Sequence, residues 1–406
     1  MLILGILIAL IEIGLGVDLA YLYLLLAAGK VPASRAGADA RAPEKNLRFA
    51  LAIPAHNEAS VIATTVANLM RLDYPAGQFD VHVVADYCDD DTAQLAQGAG
   101  AIVHERREGP RGRKSFALEW LVAALIQDAR RYEAVVVLDA DSQVAPDFLK
   151  VLNRKLLAGV QVVQGRHVIR NPEISVFASL ADVDMRLNNR IRNQAKENLG
   201  LSARLMGDAM CFRREILEAY PWTGAHSFSE DREYGIQLVL HAVPIHFASE
   251  AVSTGQAAGH WSDATGQRLR WYRGTFGLSK PYLRSLLTSA WRQHNLAAAD
   301  LALELVLPAY STLVVSTALL AFLQLLSGAY RTPLFAINGL LLLLAWLYPF
   351  VGMLAERAPW RSFRSLAVGP VYAAWRVWLG LRVRLQPHRV TWIRTPRSEE
   401  PAPTKS

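Results

Sequence analysis

Asp139 and Asp141 stand one residue apart at the end of the apolar run Ala134-Val135-Val136-Val137-Leu138. In an extended chain, residues two apart project to the same side, so both carboxylates can face one cation. Hard oxygen donors of this kind suit Mg2+ or Mn2+ held jointly with substrate phosphates. An Asp-x-Asp in isolation is more often a turn, and what raises it here is its place at the carboxyl end of a strand pattern. Asp86 closes a second apolar run and opens Asp86-Tyr87-Cys88-Asp89-Asp90-Asp91-Thr92. Asp90 and Asp91 read most simply as acids at the start of a helix. Asp86 differs, because a strand delivers its side chain to the ligand end of a sheet.

Two further clusters lie downstream. Ser229-Glu230-Asp231 precedes a helical pattern and, taken alone, is a helix cap with favourably placed acids. In Gln267-Arg268-Leu269-Arg270-Trp271, the residues Gln267, Arg270 and Trp271 are three and four positions apart. One helical face would therefore present an amide, a guanidinium and an indole, or simply a stacked surface pair.

The elements that must position these groups follow from periodicity. Between Asn46 and His260, short β-branched runs alternate with helical patterns. Arg48–Ile53, Asp80–Ala85, Ala101–His104 and Ala134–Leu138 read as strands; Ala59–Arg71, Thr92–Gln97 and Ser115–Arg131 read as helices. This alternation predicts an α/β fold with a mostly parallel sheet. Such sheets bind ligands beyond the carboxyl ends of their strands, where these polar clusters fall. Neither Pro54-Ala55-His56-Asn57-Glu58 nor the loop after Asp86 has the glycine spacing of a dinucleotide fingerprint or P-loop. Hydride transfer and nucleotide hydrolysis are thereby demoted.

Composition places this domain at a membrane. The 406 residues are 52% hydrophobic and 19% charged, too apolar for an ordinary soluble enzyme. Leu2–Ala28 is broken only by Glu12 and Asp18 and has no basic start, so it reads as a retained anchor and not a cleaved leader. The runs Leu305–Gly328 and Leu334–Ala355, separated by Ala329-Tyr330-Arg331-Thr332-Pro333, read as a transmembrane hairpin. Lys30, Arg35, Arg41, Lys45 and Arg48 follow the first span, and Arg357, Arg361 and Arg364 follow the last. By the positive-inside rule the central domain and the tail are cytoplasmic. Ala367–Leu381, with Pro370, Arg376 and several aromatics, suits an interfacial helix better than a fourth span. The two cysteines, Cys88 and Cys211, exclude a disulfide scaffold and suggest no zinc cluster.

In order, Pro54-Ala55-His56-Asn57-Glu58, Asp86, Asp139-Ala140-Asp141, Glu230-Asp231 and Gln267-Arg268-Leu269-Arg270-Trp271 resemble the signature set of the membrane-bound family 2 glycosyltransferases, relatives of cellulose, chitin and hyaluronan synthases. The resemblance covers roughly residues 46–277. It implies a glycosyltransferase-A fold and inverting transfer of a sugar from a nucleotide-diphosphate donor, with Mg2+ or Mn2+ as cofactor. Carried over, Asp86 would recognise the base, Ala55 and Glu58 would line the nucleotide site, and Lys114 would sit near the nucleotide. Asp139 would contact ribose or metal, Asp141 would coordinate the cation, and Gln267, Arg270 and Trp271 would close over the diphosphate and the acceptor end. Asp231, with a pKa raised by burial and by Glu230, is the expected general base.

The sequence departs from the pattern in places. Gly207-Asp208-Ala209-Met210 stands where Gly-Thr-Gly-Met is usual, which puts acceptor identity in doubt, and Arg113-Lys114-Ser115 replaces Gly-Lys-Gly. The resulting organisation is an anchor at 1–28, a basic linker at 29–46, a cytoplasmic catalytic domain at 47–262 and interfacial helices at 263–300. Spans follow at 305–328 and 334–355, then a basic interfacial segment and tail at 356–406. The expected partners are a UDP-linked or other nucleotide-sugar donor, a lipid-linked or glycan acceptor and membrane lipids, with no nucleic acid. The expected location is a bacterial plasma membrane. Self-association and biosynthetic partners stay open. A processive polysaccharide or oligosaccharide synthase and an inactive nucleotide-sugar binder are the competing readings.

Overall fold

The computed structural model describes residues 2–30, 45–222, 229–257 and 261–386. Most of the basic linker expected at 29–46, and the tail beyond 386, lie outside the described residues. In chain order the strands are β1 (Phe49–Ala55), β2 (Phe79–Asp86), β3 (Ile102–Arg106), β4 (Ala134–Val137), β5 (Gln143–Val144), β6 (Val162–Ile169), β7 (Met210–Arg213) and β8 (Ile245–Gly255). They form a mixed sheet in the order β3-β2-β1-β4-β7-β6-β8-β5. The pairings β1–β2, β2–β3, β1–β4 and β6–β8 are parallel, and β4–β7, β6–β7 and β5–β8 antiparallel.

The helices are α1 (Leu2–Gly29), α2 (Ile62–Leu69), α3 (Thr92–Gly98), α4 (Lys114–Gln127), α5 (Phe148–Leu157), α6 (Val176–Met185), α7 (Arg192–Asn198), α8 (Arg214–Ala219), α9 (Glu230–Leu240), α10 (Trp261–Arg292), α11 (Leu296–Val306), α12 (Tyr310–Leu326), α13 (Pro333–Ala355), α14 (Trp360–Arg364) and α15 (Gly369–Leu385).

The sheet is buried on both faces, which is why its strands read as apolar runs. Along β1, Phe49, Leu51 and Ile53 join one core with Ile62, Val66 and Phe148, while Ala50 and Ala52 join the other with Leu118, Leu121 and Phe212. This alternation follows from the period of two along a strand. Because β7 runs antiparallel between β4 and β6, with Met210 opposite both Val137 and Gln164, the turn before it lands beside the carboxyl ends of both neighbours. Gly207 and Asp208 thereby reach the same edge as Asp139.

A third cluster joins this domain to the apolar helices: Leu19, Leu22 and Leu26 of α1 pack with Val183, Leu187 and Ile191, and with Tyr348 and Met353 of α13. The residues 186–191 between α6 and α7 are π-helical. α1 and α13 are long and apolar enough to cross a membrane. The run 305–328 is not one straight helix. It divides between α11 and α12, which meet at 49° and together would make one bent span. The break falls at Leu307-Pro308-Ala309, where proline lacks an N–H and disfavours helical geometry in the residue before it.

Candidate active site

A cavity of about 690 Å3, ample for a small ligand, opens at the carboxyl ends of the strands. Ala55, Glu58, Asp86, Lys114, Asp139, Asp141, Gln267, Arg270 and Trp271 all line it. These residues come from separate strands and helices, brought together because the sheet ends every βα unit at one edge.

At the β1 and β2 end, two loops are stitched together. The Asn57 side chain accepts from Asp89 N at 2.9 Å, the Glu58 amide donates to Thr92 Oγ1 at 2.8 Å, and the Ala59 amide donates to Asp90 Oδ2 at 3.1 Å. Asp91 occupies the N-cap of α3 without a side-chain cap bond, and Asp90 accepts from Thr92 N instead. Oδ1 of Asp86 is held by the buried Arg106, with Nη2 at 2.7 Å and Nε at 2.8 Å. Arg106 also donates to the carbonyls of Glu108 and Pro110, ordering the loop that brings Arg111 to 4.0 Å over the Tyr87 ring. Burial pushes the Asp86 carboxyl up despite Arg106.

Lys114 pairs with Asp139 and donates to the Gly207 carbonyl at 2.6 Å. Burial pushes the Asp139 carboxyl up; Lys114 opposes this, and the nearby charges of Asp208 and Asp141 add to it. The crowding of carboxylates at one strand end is the chemistry that a divalent cation relieves. Among the described residues no group of three or more His, Cys, Asp and Glu is placed to hold a metal by itself. The fit is therefore to a cation carried by one or two carboxylates together with substrate phosphates.

Asp208, the departure from the usual motif, is turned inward and is 2% exposed. Its Oδ1 accepts from the Asp139 amide at 2.9 Å and from Ser142 Oγ at 2.8 Å, and its Oδ2 meets His167 Nδ1 at 2.8 Å and Ser253 Oγ. Burial alone would raise its pKa, but these bonds hold the carboxyl well below its usual range. Burial likewise pulls His167 down, and the bond and charge of Asp208 outweigh it, raising the imidazole. Asp208 thus ties β4, β6 and β8 together at the cavity wall, which it lines with His167.

Glu230 and Asp231 form the first turn of α9, with Ser229 as N-cap making no side-chain cap bond. They do not line the cavity. Asp231 lies directly behind Gly207, so that a methyl on Gly207 would fall 3.3 Å from its Oδ2. Burial first, then Asp231, pushes Glu230 up to about 7, and burial raises Asp231 as well. On α10, Arg268 turns to Asp184 at 2.9 Å, with its guanidinium 4.8 Å over the Trp271 ring. Both cysteines are free and buried, and burial pushes both thiols up, which removes them from thiolate chemistry.

Sequence reasoning missed Arg106 and three residues of the cavity lining, His167, Asp184 and Tyr372 of α15. Arg106 was accessible, since it ends the strand neighbouring Asp86. The other three answer partners 20 or more residues away, and no local pattern marks them.

Residues 46–274 match the family described as Glycosyltransferase like family 2. The chain belongs to this family. Within family 2 it is 30% identical over 239 residues to a beta-monoglucosyldiacylglycerol synthase of Trichormus variabilis, covering 55% of this chain and 48% of that protein. The chain therefore spans about half the length of that relative. The Synechocystis protein of the same name is 26% identical over 372 residues, covering 85% of this chain and 74% of its own length. Among solved structures, a mannosyltransferase from Pyrobaculum calidifontis, in complex with GDP-Man and Mn2+, superposes with a TM-score of 0.58 at 15% identity, covering 95% of this chain and 98% of that one. This family 2 protein has the glycosyltransferase-A fold.

Proposed function

We propose that this protein is an inverting glycosyltransferase that moves a sugar, UDP-linked or similarly activated, from a nucleotide-diphosphate donor to a lipid acceptor at the cytoplasmic face of a membrane. The observation that carries the reading is the mixed chemistry of the cavity lining. It includes the charged groups Asp86, Arg111, Lys114, Asp139 and Asp141 and also the apolar and aromatic groups Phe177, Ala181, Met185, Met206 and Tyr372. Three of the latter, Phe177, Ala181 and Met185, belong to α6, whose continuation packs on α1 and α13. A donor diphosphate suits the charged groups, and an acceptor with an apolar body suits the others. The names of the relatives, which specify a beta-glucosyl diacylglycerol, agree with a lipid acceptor and with inversion.

In this reading Asp86 and the Ala55–Glu58 turn hold the nucleoside, and Lys114 and Arg270 face the diphosphate. Asp139 and Asp141 would hold Mg2+ or Mn2+ with the diphosphate oxygens. Such a cation offsets the negative charge that builds on the leaving group. Asp231, outside the cavity lining and beside the side-chain-free Gly207, would serve as base through direct approach of the acceptor hydroxyl past Gly207 or through one bridging water, taking the proton as the hydroxyl oxygen attacks the anomeric carbon and the nucleoside diphosphate departs. Burial keeps that acid's pKa raised, as base catalysis favours, and the charges of Lys114, Arg204 and Arg232 oppose it. Exposed apolar side chains on α1 and α13, among them Ile3, Leu10, Leu340, Leu343 and Trp346, support lipid contact. The basic flanks at Lys45, Arg48, Arg361 and Arg364 support the inward orientation.

The test uses the full chain in liposomes containing diacylglycerol, with UDP-glucose, UDP-galactose or GDP-mannose labelled in the sugar. Label should pass to lipid only with Mg2+ or Mn2+ present. Asp231→Asn should lower transfer by roughly 10² to 10⁴ while nucleotide binding persists. Full turnover in excess chelator would remove the cation, and label found in a water-soluble polymer would replace the lipid acceptor with a growing glycan.

A further inference from the structure

The C-terminal helix α15 is amphipathic and basic, features that suit a helix lying on a lipid surface. One face of it, with Ala373, Trp375 and Leu379, is buried against the protein, while Val371 and Trp378 stay exposed. Arg376 donates through Nε to the Tyr272 hydroxyl at 3.0 Å and lies with Nη1 3.3 Å from Asp184 Oδ1. The other oxygen of Asp184 takes Arg268 at 2.9 Å. A single carboxylate on α6 thus holds one guanidinium from α10 and one from α15. Two guanidiniums hold Asp184 well below the usual carboxylate range against the opposing effect of burial. One turn before Arg376, Tyr372 lines the cavity and lies against Phe177, ring centres 6.3 Å apart. Trp375 and Leu379 pack with Ala264 at the start of α10.

We infer that α15 is part of the active site, with Arg376 the positioning residue that seats the Gln267-Arg270-Trp271 face and Tyr372 the residue that shapes the acceptor end of the cavity. The physical reason is the geometry of the clamp. Trp271 lies between Arg268, held by Asp184, and Tyr272, held by Arg376. Both restraints reach it through neighbours in sequence, so its ring orientation depends on Arg376, 104 residues beyond Tyr272. Aromatic faces around Arg376, at 5.8 Å for Tyr372 and 6.0 Å for Tyr272, accommodate the second positive charge. Tyr372 packs against Phe177 of α6, an apolar surface that suits the body of the acceptor better than the donor phosphates.

This inference rests on the glycosyltransferase reading for its kinetics but not for its structural half, and the experiment separates the two. Amide hydrogen exchange over 264–278 is followed in the full chain in lipid nanodiscs without substrate. Arg376→Gln should raise exchange there at least tenfold, with Arg376→Lys, which keeps the charge beside Asp184, falling between it and the parent. In transfer assays Arg376→Gln should lower kcat tenfold or more and change UDP affinity less than threefold, since Asp86 and Lys114 sit on other elements. Tyr372→Ala should raise the acceptor KM about tenfold, and Tyr372→Phe should restore it by returning the ring. Unchanged exchange in Arg376→Gln, or a kcat within twofold of the parent, overturns the positioning role; an unchanged acceptor KM in Tyr372→Ala overturns the acceptor role. If the parent transfers no sugar from any donor while exchange still rises in Arg376→Gln, the clamp stands and the glycosyltransferase reading alone fails.

Discussion

Gly274 of α10 lies so close to Ser229, the residue that begins α9, that a methyl group on it would fall 2.6 Å from the Ser229 backbone nitrogen. No side chain fits at that crossing. The helix carrying Gln267, Arg270 and Trp271 is thereby seated on the turn carrying Glu230 and Asp231. Gly274→Ala should force the two apart, costing about 1 to 3 kcal/mol as overpacking does and lowering transfer at least tenfold. Gly277, one turn along, has open space around it. There an alanine should raise stability by about 0.5 to 1 kcal/mol through helix propensity, so melting of the two variants side by side separates crowding from propensity.

Glu230 supplies a pH dependence of stability. Burial, then Asp231, raises its carboxyl from 4.5 to about 7, so the folded protein holds that proton more tightly than the unfolded chain does. The stabilisation is complete below pH 4.5 and is lost as pH rises through 7. Melting temperature should fall between pH 5 and 8 in the parent, and Glu230→Gln, which cannot ionise, should flatten that fall. A slope unchanged in the variant would contradict the raised acid.

Asp208 and His167 form a buried pair that also braces Asp139. Replacing either with alanine strands its partner's polar group, and the loss should be about 3 to 5 kcal/mol. The double variant should be little worse than the worse single one, because both remove the same interaction. Additive losses in thermal melts would mean that the two residues act independently.

Among the apolar helices, Gln324 of α12 donates to Glu12 of α1 at 2.9 Å, and Asn338 of α13 donates to Gln324 at 3.0 Å. All three side chains are buried. Gln324→Leu should weaken the association of these helices by about 0.5 to 2 kcal/mol, the range of interhelical hydrogen bonds in lipid. Unfolding in mixed micelles measures it. A more stable variant would mean that burying the polar chain outweighs its bonds.

Much of this molecule is legible in one dimension because its determinants are local. The strand pattern at 134–138 places Asp139 and Asp141, and the observed strand Ala134–Val137 delivers both to the cavity. The helical spacing of Gln267, Arg270 and Trp271 puts all three on the cavity wall. The apolar length of Leu2–Gly29 and Pro333–Ala355 follows from composition alone. Periodicity over a few residues is enough for each.

What tertiary structure decided involves groups whose partners are far along the chain. The acid in Gly207-Asp208-Ala209-Met210 lines the cavity, and because β7 runs antiparallel it also meets His167 and Ser253, partners that the motif does not name. Asp231 stands beside Gly207 because α9 packs on a face of the sheet through Tyr234 and Leu238 and so brings its first turn to the turn before β7. Arg376 and Tyr372 belonged by composition to a lipid-surface helix, and packing against α10 turned them to the protein. A buried charge is stable only where an opposite charge or donor meets it. Which residue does so depends on how helices and strands pack, and spacing along the chain carries no record of that.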